Sequence, residues 1–362
     1  MKENQQHHTI LDLAAALKLS PATISRALNN TSYVKKETKE RILAMALKLG
    51  YRKNTMAAGL RNNKTNTIGL ILPKISMYFH AEVVTVVQNL LHAEGYNLII
   101  GQSNDDPAME KELAETFFSS RVDAVIVSCT LQTEDFSHFD IFSAHHIPIL
   151  FYDRVPPDHY HARVIQGDDF NGGFLAGKHL AEAGCKHLGM INGPMTSNIY
   201  EARAAGYIAA LKFFGVNIRD AFFFHQQLNT EETLKALKKL FSGKTKPDGL
   251  FVTSDRSAVT VLQFAKEKGI SIPDELMLVG YSNDPITAVV SPSITTIDQF
   301  PSLFGHKLVE TLLEMMHNAQ SNEHIPAVVT PVKLIERESS EDHSLFQVRK
   351  SNQHRKLNTT EK

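Results

Sequence analysis

The stretch TILDLAAALKLSPATISRALN, residues 9–29, decides how the rest of the chain is read. Thr9 precedes Ile10, Leu13, Ala14 and Leu17, which recur at i, i+3, i+4 and i+7 and so share one helical face. Lys18 and Leu19 make a turn. Ser20 then stands as a cap, with Pro21 at the first helical position, where its missing N–H costs nothing. The second helix turns Ile24, Ala27 and Leu28 inward and Pro21, Ala22, Ser25 and Arg26 outward. A third, from Lys36 to Lys48, has Ile42, Leu43, Ala46, Leu47 and Leu49 as its apolar stripe and Gly50 as its stop. Two helices joined by a tight turn and braced by a third form a helix-turn-helix, whose second helix reads the major groove.

Charge supports that reading. Residues 1–64 carry 12 Lys and Arg against 4 acids, so this end is +8 while the whole chain is −1 and the remainder −9. A basic head on an acidic body is the footprint of nucleic-acid binding by one end. The chain has 362 residues, 43% hydrophobic and 21% charged, enough for two or three lobes with sizeable cores. Cys129 and Cys185 show no CxxC spacing, so neither a disulfide framework nor a metal site is expected. The N-terminus lacks the apolar segment of a signal peptide and no run is long enough to span a membrane, which predicts a cytoplasmic protein. His138, His145, His146 and His161 lie in loop-like stretches without metal-binding spacing and read as solvated.

From Thr67 onward apolar runs alternate with helical periodicity. Strands are predicted at 68–72, 96–100, 124–128, 149–152, 187–191, 249–253 and 277–281. Helices are predicted at 81–94, 109–118, 171–183, 202–214, 231–241 and 257–268. This βα alternation implies parallel, doubly wound sheets, and its length suits two lobes. Ligands in that architecture bind beyond the carboxyl ends of the strands. Asp153 and Asp255 follow strand ends and can accept ligand hydroxyl hydrogens. Asp153 can equally pair with Arg154, and Asp255 can equally cap the next helix. Tyr78 and Phe79 can stack on a ring, though Tyr78 also reads as surface, and Leu228 can line the pocket. The chain lacks GxxxxGK[ST], GxSxG and HExxH, so an enzyme is disfavoured and no cofactor is expected. A free-standing binding protein of the same two-lobed form is disfavoured by the basic head.

The ordered set Thr9-Ile-Leu-Asp-Leu-Ala, Leu19-Ser-Pro-Ala-Thr-Ile-Ser-Arg-Ala-Leu-Asn29, Val34, Thr38, Arg41-Ile42 and Leu49-Gly-Tyr51 resembles the head of the lac repressor and galactose repressor family. The likeness continues through Arg121–Val127, Ile147–Arg154, Asp168 with Asn171-Gly-Gly173, Gly193-Pro194, Arg203–Tyr207, Ser254–Ala258, Val279–Asp284 and Ser291–Gln299, covering roughly residues 8–337. It implies a helix-turn-helix head (1–50), a hinge (51–66), a two-lobed, periplasmic-binding-protein-like sensing and dimerisation domain (67–337) and a polar tail (338–362). It further implies a homodimer on a pseudo-palindromic DNA operator, with a sugar or sugar phosphate as effector. The tail has no leucine heptad, which favours a dimer over a tetramer.

The resemblance puts Pro21, Ala22 and Arg26 at base-reading positions. Thr9, Ser20, Thr23, Ser25 and Asn29 are expected at the DNA as well, with capping as the alternative for Thr23, Ser25 and Asn29. Leu60 falls where the family wedges a leucine into the minor groove; burial against the sensing domain is the alternative. Lys53 stands where a Pro is usual, Ala58 where an Arg is common, and Gly59 weakens a hinge helix by about 1 kcal/mol. Arg203 is implied as the clamp on ligand oxygens. Ser254 and Ser282 replace the family's common Asn and Asp at effector positions, which shifts the ligand accepted.

Overall fold

Thr9 and Asp12 close a capping box: Thr9 N–H donates to Asp12 Oδ2 at 2.6 Å and Asp12 N–H to Thr9 Oγ1 at 3.4 Å. This starts helix α1 (Ile10–Leu17) in the computed structural model, which describes residues 8–29, 33–51, 64–160, 162–219, 222–317 and 327–341. Lys18, at φ 54°, ends α1 in the left-handed region. Ser20 Oγ accepts the Thr23 N–H at 3.1 Å and opens α2 (Pro21–Asn29); α3 (Lys36–Lys48) follows. Leu13, Ala14, Ile24, Ala27, Ile42 and Ala46 make the core of this head. Full burial of Leu13, Ile24 and Ile42 contributes roughly 1.5–3 kcal/mol each. The α3 stripe is narrower than the sequence predicts, because Leu43 and Leu47 are 47% and 86% exposed. Ile42 and Ala46 reach the core, with Met45 and Leu49 partly buried beside them.

The chain divides into two compact units, Met1–Thr65 and Asn66–Lys362. The second carries the strands β1 (Thr67–Leu72), β2 (Asn97–Gln102), β3 (Ala124–Val127), β4 (Ile149–Tyr152), β5 (Arg163–Gly167), β6 (Leu188–Asn192), β7 (Phe223–His225), β8 (Gly249–Val252), β9 (Met277–Val279), β10 (Thr296–Asp298), β11 (Val328–Thr330) and β12 (Lys333–Ile335). Its helices are α4 (Tyr78–Ala93), α5 (Pro107–Ser119), α6 (Asp140–Ala144), α7 (Asp169–Glu182), α8 (Asn198–Phe213), α9 (Thr230–Leu240), α10 (Asp255–Lys268), α11 (Ile286–Val289) and α12 (Pro301–His317).

Two parallel sheets define two lobes. The first has the order β2-β1-β3-β4-β5-β11 and the second β7-β6-β8-β9. Both therefore repeat one winding, with the reversal beside the first strand of each lobe. Side chains alternate across the first sheet: Leu70, Leu72, Ile126, Leu150 and Tyr152 face α4 and α12, while Ile71, Val125, Val127 and Phe151 face Phe117, Phe139 and Phe142. Burial on both faces explains why these strands read as unbroken apolar runs. The second sheet is likewise covered on both faces.

The chain crosses between lobes after β5, after β10 and after β11. Asp168 N–H donates to Thr330 O at 2.9 Å, and β10 pairs antiparallel with β12, so the crossings are tied together. The strands β5, β7, β10, β11 and β12 and the helices α6, α11 and α12 go beyond the elements predicted from sequence. Cys129 and Cys185 are buried and free. No helix among the described residues is long and apolar enough to cross a membrane.

Candidate DNA-reading face and ligand cleft

In the head, Pro21, Ala22 and Arg26 are exposed on α2, while Ile24 and Ala27 on its other side are buried. Thr23 and Ser25 are half-buried. Ser20 and Thr23 join through their hydroxyls at 2.9 Å, and Thr9 is committed to its capping box, so these three hold the helices in place before they hold anything else. Asn29 closes α2; its side chain and Leu60 lie outside the described residues. The helix presents one guanidinium capable of two parallel bonds to guanine O6 and N7, beside apolar Pro21 and Ala22. Lys18, Lys35, Lys36, Arg41 and Lys48 are exposed on the same small unit.

In the body, the carboxyl ends of both sheets face one cleft. Asp153 follows β4, at φ 59°, and is 5% exposed. Burial lifts its carboxyl to about 6, against the pull of Arg154. The Oδ2 of that carboxylate lies 3.8 Å from His80 Nε2. His80 is fully buried in the first turn of α4, with Nδ1 3.0 Å from Tyr152 Oη. Burial, then Arg154, depresses the imidazole to about 3, so it is neutral. Arg154 pairs with Asp105 instead of Asp153 and also donates to Met77 Sδ.

Arg203 lies in the second turn of α8, 4% exposed. Its Nε donates to Asp169 Oδ1 at 2.7 Å and its Nη1 to Thr253 O at 3.3 Å. The guanidinium lies 3.7 Å from the Tyr281 ring centroid and 5.4 Å from that of Tyr200. Burial works to lower its pKa, but Asp169 and its neighbours outweigh burial and raise it. Tyr281 Oη donates to the same Asp169 Oδ1 at 2.8 Å.

Glycines set this position. A Cβ on Gly173 would lie 2.0 Å from Arg203 O, and one on Gly206 would lie 1.8 Å from Phe170 O. The backbones of α7 and α8 touch at these points, which is the physical content of the Asn171-Gly-Gly173 and Arg203–Tyr207 motifs.

The other predicted contacts divide. Tyr78 is half-buried; burial, then Glu82, Asp298 and Asp284, raises its phenol. Leu228 joins Leu131, Ile199 and Tyr200 in an apolar cluster drawn from both lobes. Ser254 is the half-buried N-cap residue of α10, with no side-chain capping bond. Phe79 is corrected: it is 5% exposed and packs edge-on against Phe304 at 5.2 Å, because α4 begins at Tyr78 and turns this ring into the core. Asp255 is corrected too. Its oxygens accept Thr296 Oγ1–H at 2.7 Å and Asp284 N–H at 2.8 Å, so it staples the loop after β9. Burial raises its carboxyl to about 7. Ser282, at φ 117°, has its Oγ 3.2 Å from Gln299 Oε1. His138 is not solvated: its Nε2 is 3.2 Å from buried Glu110.

The lobes meet through residues that sequence reasoning missed. Asn198 Nδ2 donates to Asp153 O at 2.9 Å and Asn198 Oδ1 accepts the Val155 N–H at 3.2 Å. Thr196 Oγ1 donates to Leu131 O at 3.2 Å, and Arg256 donates to Ser76 O. Asn192 fastens the second wall, donating to Tyr200 O at 2.9 Å and accepting from Thr253 Oγ1 at 2.9 Å. Among these, only Asp153-Arg154, polar directly after an apolar strand, carried a sequence signal. Among the described residues, no cluster of His, Cys, Asp and Glu could hold a metal ion.

Comparison with known proteins bears on both units. Residues 9–54 match the family of bacterial regulatory proteins, lacI family, and residues 178–340 match the periplasmic binding protein-like domain. The HTH-type transcriptional repressor PurR of Pasteurella multocida is 29% identical over 328 residues, 90% of this chain and 97% of that protein. The lac repressor dimer bound to operator and the anti-inducer ONPF shares the fold, with a TM-score of 0.80 at 21% identity over 93% of this chain and all of that one. A periplasmic binding protein/LacI transcriptional regulator from Alkaliphilus metalliredigens, solved with D-xylulofuranose, aligns with 76% of this chain and all of its own, at a TM-score of 0.66 and 28% identity.

Proposed function

The chain belongs to the lacI family of bacterial regulatory proteins, and from that premise we propose that it binds a pseudo-palindromic DNA operator as a homodimer, under control of a small molecule held between the lobes of its body. It is a transcription regulator rather than an enzyme. The observation that carries the reading is α2: a capped helix with Pro21, Ala22 and Arg26 exposed on it, in one chain with a two-lobed body whose cleft keeps buried polar groups.

Phosphate contacts from the exposed lysines supply affinity and Arg26 supplies discrimination. Two heads on one dimer take the two half-sites. Effector binding changes the lobe arrangement and with it the operator affinity; a coupling of about 1–3 kcal/mol gives roughly 5–150-fold regulation. The named repressors among its relatives favour repression, and the sugar bound by the Alkaliphilus regulator favours a carbohydrate-like effector. A cytoplasmic location follows from a DNA partner.

Operator selection from random duplexes at two salt concentrations tests this. One enriched palindrome, bound with affinity that falls steeply with salt, is the expected result. Weak binding without enrichment would overturn the assignment of α2 as the reading helix.

A further inference from the structure

Resting on the reading of the chain as a dimer that takes two half-sites, we infer that Asp123 is a positioning residue: it pins the point where the chain leaves the body toward the head, and so sets how strictly the spacing of the half-sites is read. The body unit begins at Asn66, one residue before β1. β1 is an inner strand of the first sheet, between β2 and β3. Its ladder with β3 opens at Ile68 and Ala124. Ahead of that pair Asp123 takes over: its N–H donates to Thr67 O at 2.8 Å, and its Oδ2 accepts the Asn66 N–H at 2.7 Å. From the other side, Asn97 N–H donates to Asn66 O at 2.8 Å.

The backbone conformations fit this clamp. Asn66 stands at φ 50°, in the left-handed region that Asn enters more readily than most residues and keeps where its surroundings fix it. Arg121, at φ 56°, turns the chain after α5, and Val122 N–H reaches back to Phe117 O at 3.3 Å, so the backbone arrives at Asp123 from a fixed start. Val122 and Ala124 on either side are buried, while Asp123 is half-buried. Its carboxylate makes the charge-assisted bond of the three, and that bond acts on the residue at the boundary itself. A hydrogen bond to a charged group shifts such an opening equilibrium by about tenfold to a hundredfold. Without it Asn66 and Thr67 peel from the β3 side, and each freed residue lengthens the exit by about 3.3–3.6 Å. One base pair adds about 3.4 Å to the distance between half-sites and about a tenth of a turn. The slack gained by losing the clamp is therefore the size of one step in operator spacing, and a dimer has two exits.

The test uses full-length protein and operators made from the selected palindrome by inserting or removing one base pair at its centre. Wild type should lose about tenfold or more in affinity on either change. Asp123→Ala should narrow that loss to about threefold or less, while Asp123→Asn, which keeps an acceptor oxygen, should stay near wild type. Gly184→Ala, strained at φ +91° in the second lobe, costs stability without touching the exit and should keep the wild-type spacing profile. Amide exchange reads the clamp without DNA: in Asp123→Ala the Asn66 amide should exchange about tenfold or more faster, with the amides of β4 at their wild-type rates, which also shows that the variant folds. A wild type indifferent to spacing, a folded Asp123→Ala as strict as wild type, or equal relaxation in Gly184→Ala would overturn the inference and leave the regulator reading standing. A wild type that enriches no palindrome would overturn the dimer-on-operator reading and this inference with it.

Discussion

Replacing Gly206 by Ala tests whether the close approach of α7 and α8 holds Arg203 in place. A Cβ there would lie 1.8 Å from Phe170 O, 2.8 Å from Phe170 C and 2.9 Å from Phe174 N. All three are backbone atoms, so no side chain can swing aside. To reach ordinary contact the helices must separate by about 1.5 Å. Overpacking of this kind costs about 1–3 kcal/mol, and the better helix propensity of Ala returns about 1 kcal/mol. Because the obstruction is main chain, a net loss of about 2 kcal/mol is expected, and Gly173→Ala, whose Cβ would meet Arg203 O at 2.0 Å, should match it. Gly177→Ala meets side-chain and backbone atoms only at 2.9 Å and beyond and should cost less. Gly184→Ala has open space but φ +91°, so its penalty of about 1–2 kcal/mol is backbone strain alone. Urea unfolding followed by circular dichroism and by tyrosine fluorescence, in a chain with nine Tyr and no Trp, ranks the four. Ligand affinity should fall with the first two and not with Gly184→Ala. A wild-type midpoint for Gly206→Ala would refute the argument.

Asp169→Ala strands a buried guanidinium and the Tyr281 hydroxyl, so it should lose about 3–5 kcal/mol, visible as a lower urea midpoint, with Asp169→Asn losing less. Asp255, raised by burial to about 7, binds its proton more tightly folded than unfolded. Its contribution is therefore largest below pH 4 and declines as pH rises to 7, by on the order of 4 kcal/mol. Urea midpoints at several pH values should show that decline in the wild type and a flatter profile in Asp255→Asn, which keeps a carbonyl acceptor; parallel profiles would contradict it. Arg26→Ala should erase discrimination at one base pair, worth about 1–3 kcal/mol, while nonspecific binding persists; competition between operators differing at each position measures this.

The fold was largely legible and the site only half so, for a reason seen at the helix starts. α1 and α2 announce themselves through Thr9 and Ser20, polar caps that the sequence displays. Around the cleft, α4, α8 and α10 follow Met77, Ser197 and Ser254, none of which makes a capping bond. Apolar periodicity alone then placed these starts two to four residues late. That shift put Phe79 in a loop, where a ring could meet a ligand, when it belongs to the first turn of α4 and to the core. It also left Asp255 free to face a ligand, when it is the first residue of α10 and bound to Thr296. Arg203 was found because its motif travels with Gly206, whose missing side chain is dictated by main-chain contact. Asp169, Asn198 and Tyr200 offered no comparable signal: their partners are distant in sequence, and only the two-lobed winding brings them together.

The contacts that hold the lobes together also indicate how a ligand acts on them. The four named interlobe hydrogen bonds run to main-chain groups, and no ion pair among the described residues joins the lobes. Each such bond contributes roughly 0.5–1.5 kcal/mol net, somewhat more for the charged donor Arg256, so the polar part of the seam is worth a few kcal/mol beside the apolar cluster of Leu131, Ile199, Tyr200 and Leu228. The buried ion pairs instead lie within a lobe, Asp105 with Arg154 in the first and Asp169 with Arg203 in the second, and they keep each wall rigid. A rigid wall on either side of a weakly held seam places the bistable element at the seam itself. A ligand shifts the equilibrium only through what it gains in one arrangement and not in the other. Ser128 and Asp153 stand on one wall and Ser197 on the other, so a ligand that bridges them gains its second set of hydrogen bonds only when the lobes are together. That gain is of the same size as the hydrogen bonds that already hold the seam and acts in the same direction, which is the condition for a small molecule to control the arrangement of the lobes.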